Sequence, residues 1–338
     1  MRALLIALLA FVAGIGLTVL WQPASPGAKP APTAATPAAT STASAAVAPA
    51  PVDAMADDRW PAGGPSPEQL IYAQPQLVRN ALAQLTPRVD GRPNLYLVAF
   101  AGDAGEDVFR NEVEYATRLF PARFGAATHT LVLENNPASL GTRPLASWSN
   151  LEATLDGLAR IMHPDEDILM LYLTSHGSED HYLLVDMDPL PLDQIGANDL
   201  ADILREHAFR WKVVVVNACY SGGFVSPLQG DGTLVITAAR SDRSSFGCGS
   251  DSDITYFGKA WLVDALNRTD NFIDAFQRAS RTIAGWEHQD KLTPSEPQID
   301  VGRGIAAQLA RWRGGSEPAA TVPFAPATGP TAPANMAQ

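Results

Sequence analysis

A histidine and a cysteine each stand just past an apolar run. His176 follows DILMLYLTS at residues 167–175, and Cys219 follows WKVVVVNA at residues 211–218. Runs of that length and composition predict central strands of a parallel sheet, and such sheets place their chemistry beyond the strands' carboxyl ends. The two side chains are therefore expected to meet across adjacent strand tips. A thiol needs a neighbouring base to serve as a nucleophile, since free cysteine titrates at about 8.5 and paired cysteines far lower. The imidazole of His176 supplies one. Gly177, Gly222 and Gly223 flank the pair; backbone without side chains admits a substrate carbonyl, and exposed amides at such turns form oxyanion holes. The chemistry described is acyl transfer from a thiolate.

Taken singly, a His-Gly at a strand end is a turn, and a cysteine in a valine-rich strand is a small core residue. Together, with a strand feeding each and glycines beside both, they favour catalysis over packing. A metal site built from His176, Glu179, Asp180 and His181 is the alternative. It is weaker, because those residues share one short polar turn and no second ligand cluster is visible, so the expectation is no metal and no cofactor.

Ser175-His176-Gly177 and Asn217-Ala218-Cys219-Tyr220-Ser221-Gly222 resemble the two catalytic blocks of the legumain-type cysteine peptidases, the asparaginyl endopeptidase family. Residues 101–110 (AGDAGEDVFR) resemble that family's first loop, and residues 241–248 (SDRSSFGC) its block after the following strand. The similarity runs over about residues 94–300, with the blocks in the family's order. It implies a caspase-like three-layer αβα sandwich of the α/β class with a largely parallel central sheet, and cysteine-type endopeptidase activity on a peptide or protein substrate. It also implies His176 as general base and acid, Cys219 as nucleophile, and the amides of Gly177 and Cys219 as oxyanion donors. The family's histidine-orienting asparagine falls on Val108, so the resemblance implies a dyad. Its pocket arginine falls on Arg110, the neighbouring histidine becomes Asn111, the acid two before the cysteine becomes Asn217, Ser245 is kept, and a downstream pocket acid becomes Lys259. Arg110 and Lys259 in one pocket would make it net positive and favour aspartate over asparagine before the scissile bond. Without the resemblance, Arg110 reads as a surface helix residue paired with Glu114. A transpeptidase or ligase sharing the acyl-enzyme, and an inactive peptide-binding scaffold, are the competing readings.

The 338 residues are 46% hydrophobic and 18% charged, enough for one globular domain with non-globular ends. A formal net charge of −12 gives no electrostatic footprint for nucleic acid. Arg2 and the apolar residues 3–21 read as an export signal long enough to cross a bilayer, without a clean cleavage site. An exported, bacterial-type member anchored in the cell membrane by one pass, with the catalytic domain on the periplasmic side, is expected; a secreted or soluble periplasmic form is the alternative. Residues 22–58 and 314–338, rich in Ala and Pro, read as a disordered spacer and a disordered tail around a peptidase domain at 59–313. Cys219 and Cys248 are the only cysteines. A disulfide between them would remove the nucleophile, so Cys219 is read as a free thiolate.

The elements that must position this chemistry follow from periodicity. Strands are predicted at 94–101, 128–133, 168–174, 182–186, 212–216 and 233–238. Helices are predicted at 70–85, 108–120, 151–162, 199–207, 254–266 and 272–286. The alternation predicts a doubly wound, largely parallel sheet.

Overall fold

The computed structural model describes residues 60–61, 63–314 and 319–329. The apolar residues 1–21 and the spacer at 22–58 lie outside the described residues. Among those described, no helix is long and apolar enough to cross a membrane.

Six strands form one sheet in the order β2-β1-β3-β6-β7-β8. They are β1 (Leu95–Ala101), β2 (Thr128–Glu134), β3 (Ile168–Thr174), β6 (Trp211–Asn217), β7 (Thr233–Thr237) and β8 (Gln298–Val301). The first five pair in parallel, and β8 closes one edge antiparallel to β7. A small hairpin of β4 (Tyr182–Leu183) and β5 (Ile195–Gly196) stands apart. Every residue of β1 and β3 is buried, as a sheet covered on both faces requires.

Side chains alternate between two cores, because successive strand residues point to opposite faces. Leu95, Leu97, Ala99, Met170, Tyr172, Val213 and Val215 face one layer. That layer holds α2 (Asp107–Phe124), α7 (Phe272–Gln289) and α8 (Ile305–Arg313). Tyr96, Val98, Phe100, Leu169, Leu171, Leu173, Val214 and Val216 face the other, which holds α3 (Trp148–Ile161) and α4 (Ala197–Arg205). This is the three-layer αβα sandwich that the resemblance implied, built on the largely parallel sheet that the alternation of strands and helices predicted. Helix α1 (Pro67–Ala83) starts at Ser66, whose hydroxyl accepts from the Gln69 amide in a reciprocal capping box. It packs on α3, where Gly157 makes room for Leu82.

Three expectations change. The strand predicted at 182–186 shortens to two residues. The helix predicted at 254–266 is a single turn, α6 (Tyr256–Gly258), running into a π-helical stretch, Lys259–Ala265; α5 is the short Val225–Leu228. The tail is also corrected, because over residues 319–329 it is laid along α2. Arg123 and Arg118 donate to the carbonyls of Ala319 and Ala325, and the Tyr115 hydroxyl to that of Val322. Asn267 donates to the Val322 carbonyl and accepts from its amide. Phe324 meets the Tyr115 ring edge to face at 5.4 Å. A segment without helical or strand periodicity is held here by side chains that grip its backbone.

Candidate active site

Strand register brings the chemistry together. Thr174 of β3 lies opposite Asn217 of β6, and the Ser175 amide donates to the Asn217 carbonyl at 3.3 Å. Two residues beyond that row stand His176 and Cys219, on the same side of the sheet as the residues they follow. A Cβ on Gly177 would overlap the Cys219 carbonyl oxygen, so the glycine is needed for the two tips to touch. On the other side of β3, Ala101 of β1 lies opposite Thr174, and the Gly102 amide donates to the Thr174 carbonyl at 3.0 Å. Two residues beyond Ala101 stands Asp103. Its Oδ2 lies 3.5 Å from His176 Nε2. The sequence reading missed this residue, since an aspartate in AGDAGED reads as a turn former. The signal was present in the equal offset of Asp103, His176 and Cys219 from their strands' last paired residues.

Cys219 leaves β6 on a sharp turn. Tyr220, the next residue, holds a left-handed φ of 56°, a conformation that costs a non-glycine residue about 1–3 kcal/mol and clusters at functional sites. Its amide is tied to the Arg243 carbonyl at 2.7 Å. The Ser245 amide donates to Cys219 Sγ at 3.3 Å, and the Ser245 hydroxyl lies 3.8 Å from the sulfur. Interaction with the Cys248 thiol, helped by the Ser245 amide and hydroxyl and by Ser244, outweighs burial and lowers the Cys219 pKa to about 5. The same interaction, burial and the thiolate's charge push the Cys248 thiol far up. Both cysteines are free. The two shifts run in opposite directions, toward a thiolate at Cys219 and a protonated thiol at Cys248.

Beneath the row lies a carboxylate that the sequence did not single out. Glu112 of α2 is fully buried and accepts five hydrogen bonds, from the Tyr172 and Thr174 hydroxyls, the Asn217 amide, and the Thr255 amide and hydroxyl. Burial pushes its pKa up, and those donors oppose the shift. It ties the ends of β3 and β6 to the loop before α6. Asn217 belongs to this network and is 1% exposed, so it acts under the site and is not a wall of a substrate pocket.

The other expected pocket residues separate. Lys259 points away: its ammonium lies 3.7 Å from Asp264 and 5.7 Å from the Trp286 ring centre, and half of the side chain is exposed. Arg110 is buried and pairs at 3.5 Å with the buried Glu134, whereas Glu114 pairs with Arg143 at 2.9 Å; the helix pair Arg110–Glu114 is not formed. Arg110 also donates to the Gly329 carbonyl at 2.7 Å. Asn111 accepts from the Ala327 amide at 2.8 Å and donates to the Asp253 carbonyl at 2.9 Å. Arg110 lines a groove of about 620 Å³ whose walls include Glu106, Asp107, Asn136, Ser252 and the tail's Ala327. The net-positive pocket expected from Arg110 and Lys259 is therefore corrected: one cation is balanced by Glu134 and the other is elsewhere. Val108 is buried in the core. The alternative ligand cluster does not assemble, as no group of three or more metal-binding side chains converges among the described residues.

No curated protein matches this chain. Residues 150–308 match the model of the Peptidase C13 family, a span that contains His176, Cys219 and Ser245 and begins after the loop of Asp103 and Arg110. The thiol and imidazole at neighbouring strand tips both fall inside that match, which is consistent with a legumain-type cysteine peptidase.

Proposed function

We propose that the protein is an endopeptidase working through His176 and Cys219. The observation that carries this reading is the placement of Cys219 on a strand tip in register with that of His176, where the thiol's pKa is lowered to about 5. The thiolate adds to the scissile carbonyl carbon, and the amides of Gly177 and Cys219 take the developing oxyanion. The tetrahedral adduct collapses to a thioester as the amine leaves with a proton from His176. Water then attacks the thioester, giving one proton to His176, and hydrolysis returns the thiolate and a free acid.

Arg110 balanced by Glu134, with Glu106 and Asp107 on the same groove, favours a neutral amide side chain. Asparagine ahead of aspartate before the scissile bond is the resulting proposal. The test is labelling of the full chain by electrophilic peptidyl probes that vary the side chain beside the warhead. Wild type should label with Asn-bearing probes, Cys219→Ala should not label, and His176→Ala should lose peptide turnover while staying folded. Peptide hydrolysis by Cys219→Ala at the wild-type rate would end the proposal.

Residues 1–21, apolar after Arg2, support a membrane anchor with the catalytic domain on the periplasmic side. Membrane fractions should retain the full-length chain through alkaline carbonate; a soluble form beginning near residues 22–30 would overturn the anchor.

A further inference from the structure

We infer that Asp103 is the positioning residue of the His176–Cys219 pair, holding the imidazole and balancing the charge it takes up during catalysis. This rests on the proposed peptidase reaction and adds a third member, drawn from β1. Three adjacent parallel strands end in one row, and Ala101, Thr174 and Asn217 pair across it. Asp103, His176 and Cys219 each lie two residues further on. Because alternate residues of extended chain share a face, the carboxylate, the ring and the thiol reach the same side in that order.

The carboxylate is fixed from several directions. Its Oδ1 accepts from the Gly105 amide at 2.8 Å, which leaves Oδ2 to face His176 Nε2 at 3.5 Å. The loop carrying it is pinned to β3 through Gly102 and to the chain at Asp186. The Ala104 amide donates to the Asp186 carbonyl at 3.1 Å, and the Asp186 amide to the Gly102 carbonyl at 2.9 Å. A Cβ on Gly102 would crowd the Ser175 hydroxyl at 2.9 Å, so the loop cannot slide away from the histidine's strand. Asp103 itself is 6% exposed. Phe109 also packs on the ring, edge to face at 5.2 Å. With Nε2 facing Asp103 and the ring packed on Phe109, Nδ1 is left for the reacting centre.

The apo separation of 3.5 Å suits a contact that tightens when the ring becomes charged, as catalytic hydrogen bonds do in complexes with substrate. The proton that His176 gives to the leaving amine, and the one it takes from water, both pass through the ring's other nitrogen. The position where the resemblance places a histidine-orienting asparagine holds Val108, which is buried in the core. The orienting group stands five residues earlier, in the loop between β1 and α2.

This role predicts a split between leaving groups. A peptide amide needs a proton from His176 to depart, whereas a 4-nitrophenyl ester of the same acyl group does not. The thiolate survives without Asp103, since its acidity comes from Cys248, Ser245 and Ser244. In the full chain, Asp103→Asn should lower kcat for the amide on the order of 10²-fold with KM unchanged. The burst of 4-nitrophenolate from the ester, which reports thioester formation alone, should stay near wild type. Asp103→Glu should recover most of the amide rate. Asp103→Ser, whose hydroxyl can still accept from the Gly105 amide, should behave as Asp103→Asn does and covers the case in which that variant fails to fold. Loss of amide turnover and ester burst together, or wild-type amide turnover in both Asn and Ser variants, would overturn the inference. Amide hydrolysis by Cys219→Ala would instead remove the peptidase reading on which it rests.

Discussion

The proximity of Cys219 and Cys248 has opposite effects on the two thiols, lowering one to about 5 and raising the other. Cys248→Ala removes the largest cause of the Cys219 shift, so the midpoint for alkylation of Cys219 should rise toward ordinary thiol values. At pH 6 the wild type is mostly thiolate and the variant mostly thiol, and iodoacetamide labelling should slow about tenfold. An unchanged pH profile would assign the acidity to Ser245 instead. A second titration bears on specificity. Burial and the charge of Glu114 raise Glu134 to about 7, so above that pH its carboxylate neutralises Arg110, and below it the arginine's charge is uncompensated. A substrate aspartate stays ionised down to about pH 4. The ratio of cleavage after Asp to cleavage after Asn should therefore rise as pH falls from 8 to 6, measured on matched peptides. A flat ratio would mean that Arg110 does not sense the substrate side chain.

Elements place these residues, and Glu112 is where three elements are tied. Glu112→Ala strands the hydroxyls of Tyr172, Thr174 and Thr255 and the Asn217 amide in a fully buried space. A loss of about 3 kcal/mol or more in denaturant unfolding is expected, with catalysis failing at the temperature where the strand tips loosen. Sequence exposed the strands because β3 and β6 are unbroken apolar runs, and it exposed His176 and Cys219 because both follow such runs directly. Glu112 was hidden for the opposite reason, as one more charged residue in an amphipathic helix whose buried face cannot be told from its sequence alone. Asp103 becomes visible only once β1 is in register with β3. Lys259 begins a π-helical stretch, Lys259–Ala265, which turns side chains off the α-helical phase, so matching by spacing sends it to the wrong face. Strand β8, only four residues with alternating polar positions, gave too short a pattern to register.

At the scale of the whole molecule, the docked segment 319–329 shows how a periodicity-free stretch joins a fold. Its backbone is gripped by Arg110, Asn111, Tyr115, Arg118 and Arg123 of α2, and by Asn267. Ordering each residue costs about 1–2 kcal/mol, and each hydrogen bond returns about 1 kcal/mol net, so the segment is held only loosely. Its amides should exchange hydrogen well before those of β3; protection equal to that of the central strand would show it to be an integral part of the core. Its contacts to α2 span 196 to 219 residues of sequence. At about 5–20 residues per second of synthesis, α2 is made roughly 10 to 40 seconds before the segment that will cover it. Late in that interval the catalytic strands are complete, while the groove at Arg110 still lacks its last wall. A newborn molecule thus passes through a period in which any neighbouring extended peptide can compete for the place its own chain will later fill, and crowding of nascent chains sets how often that competitor wins.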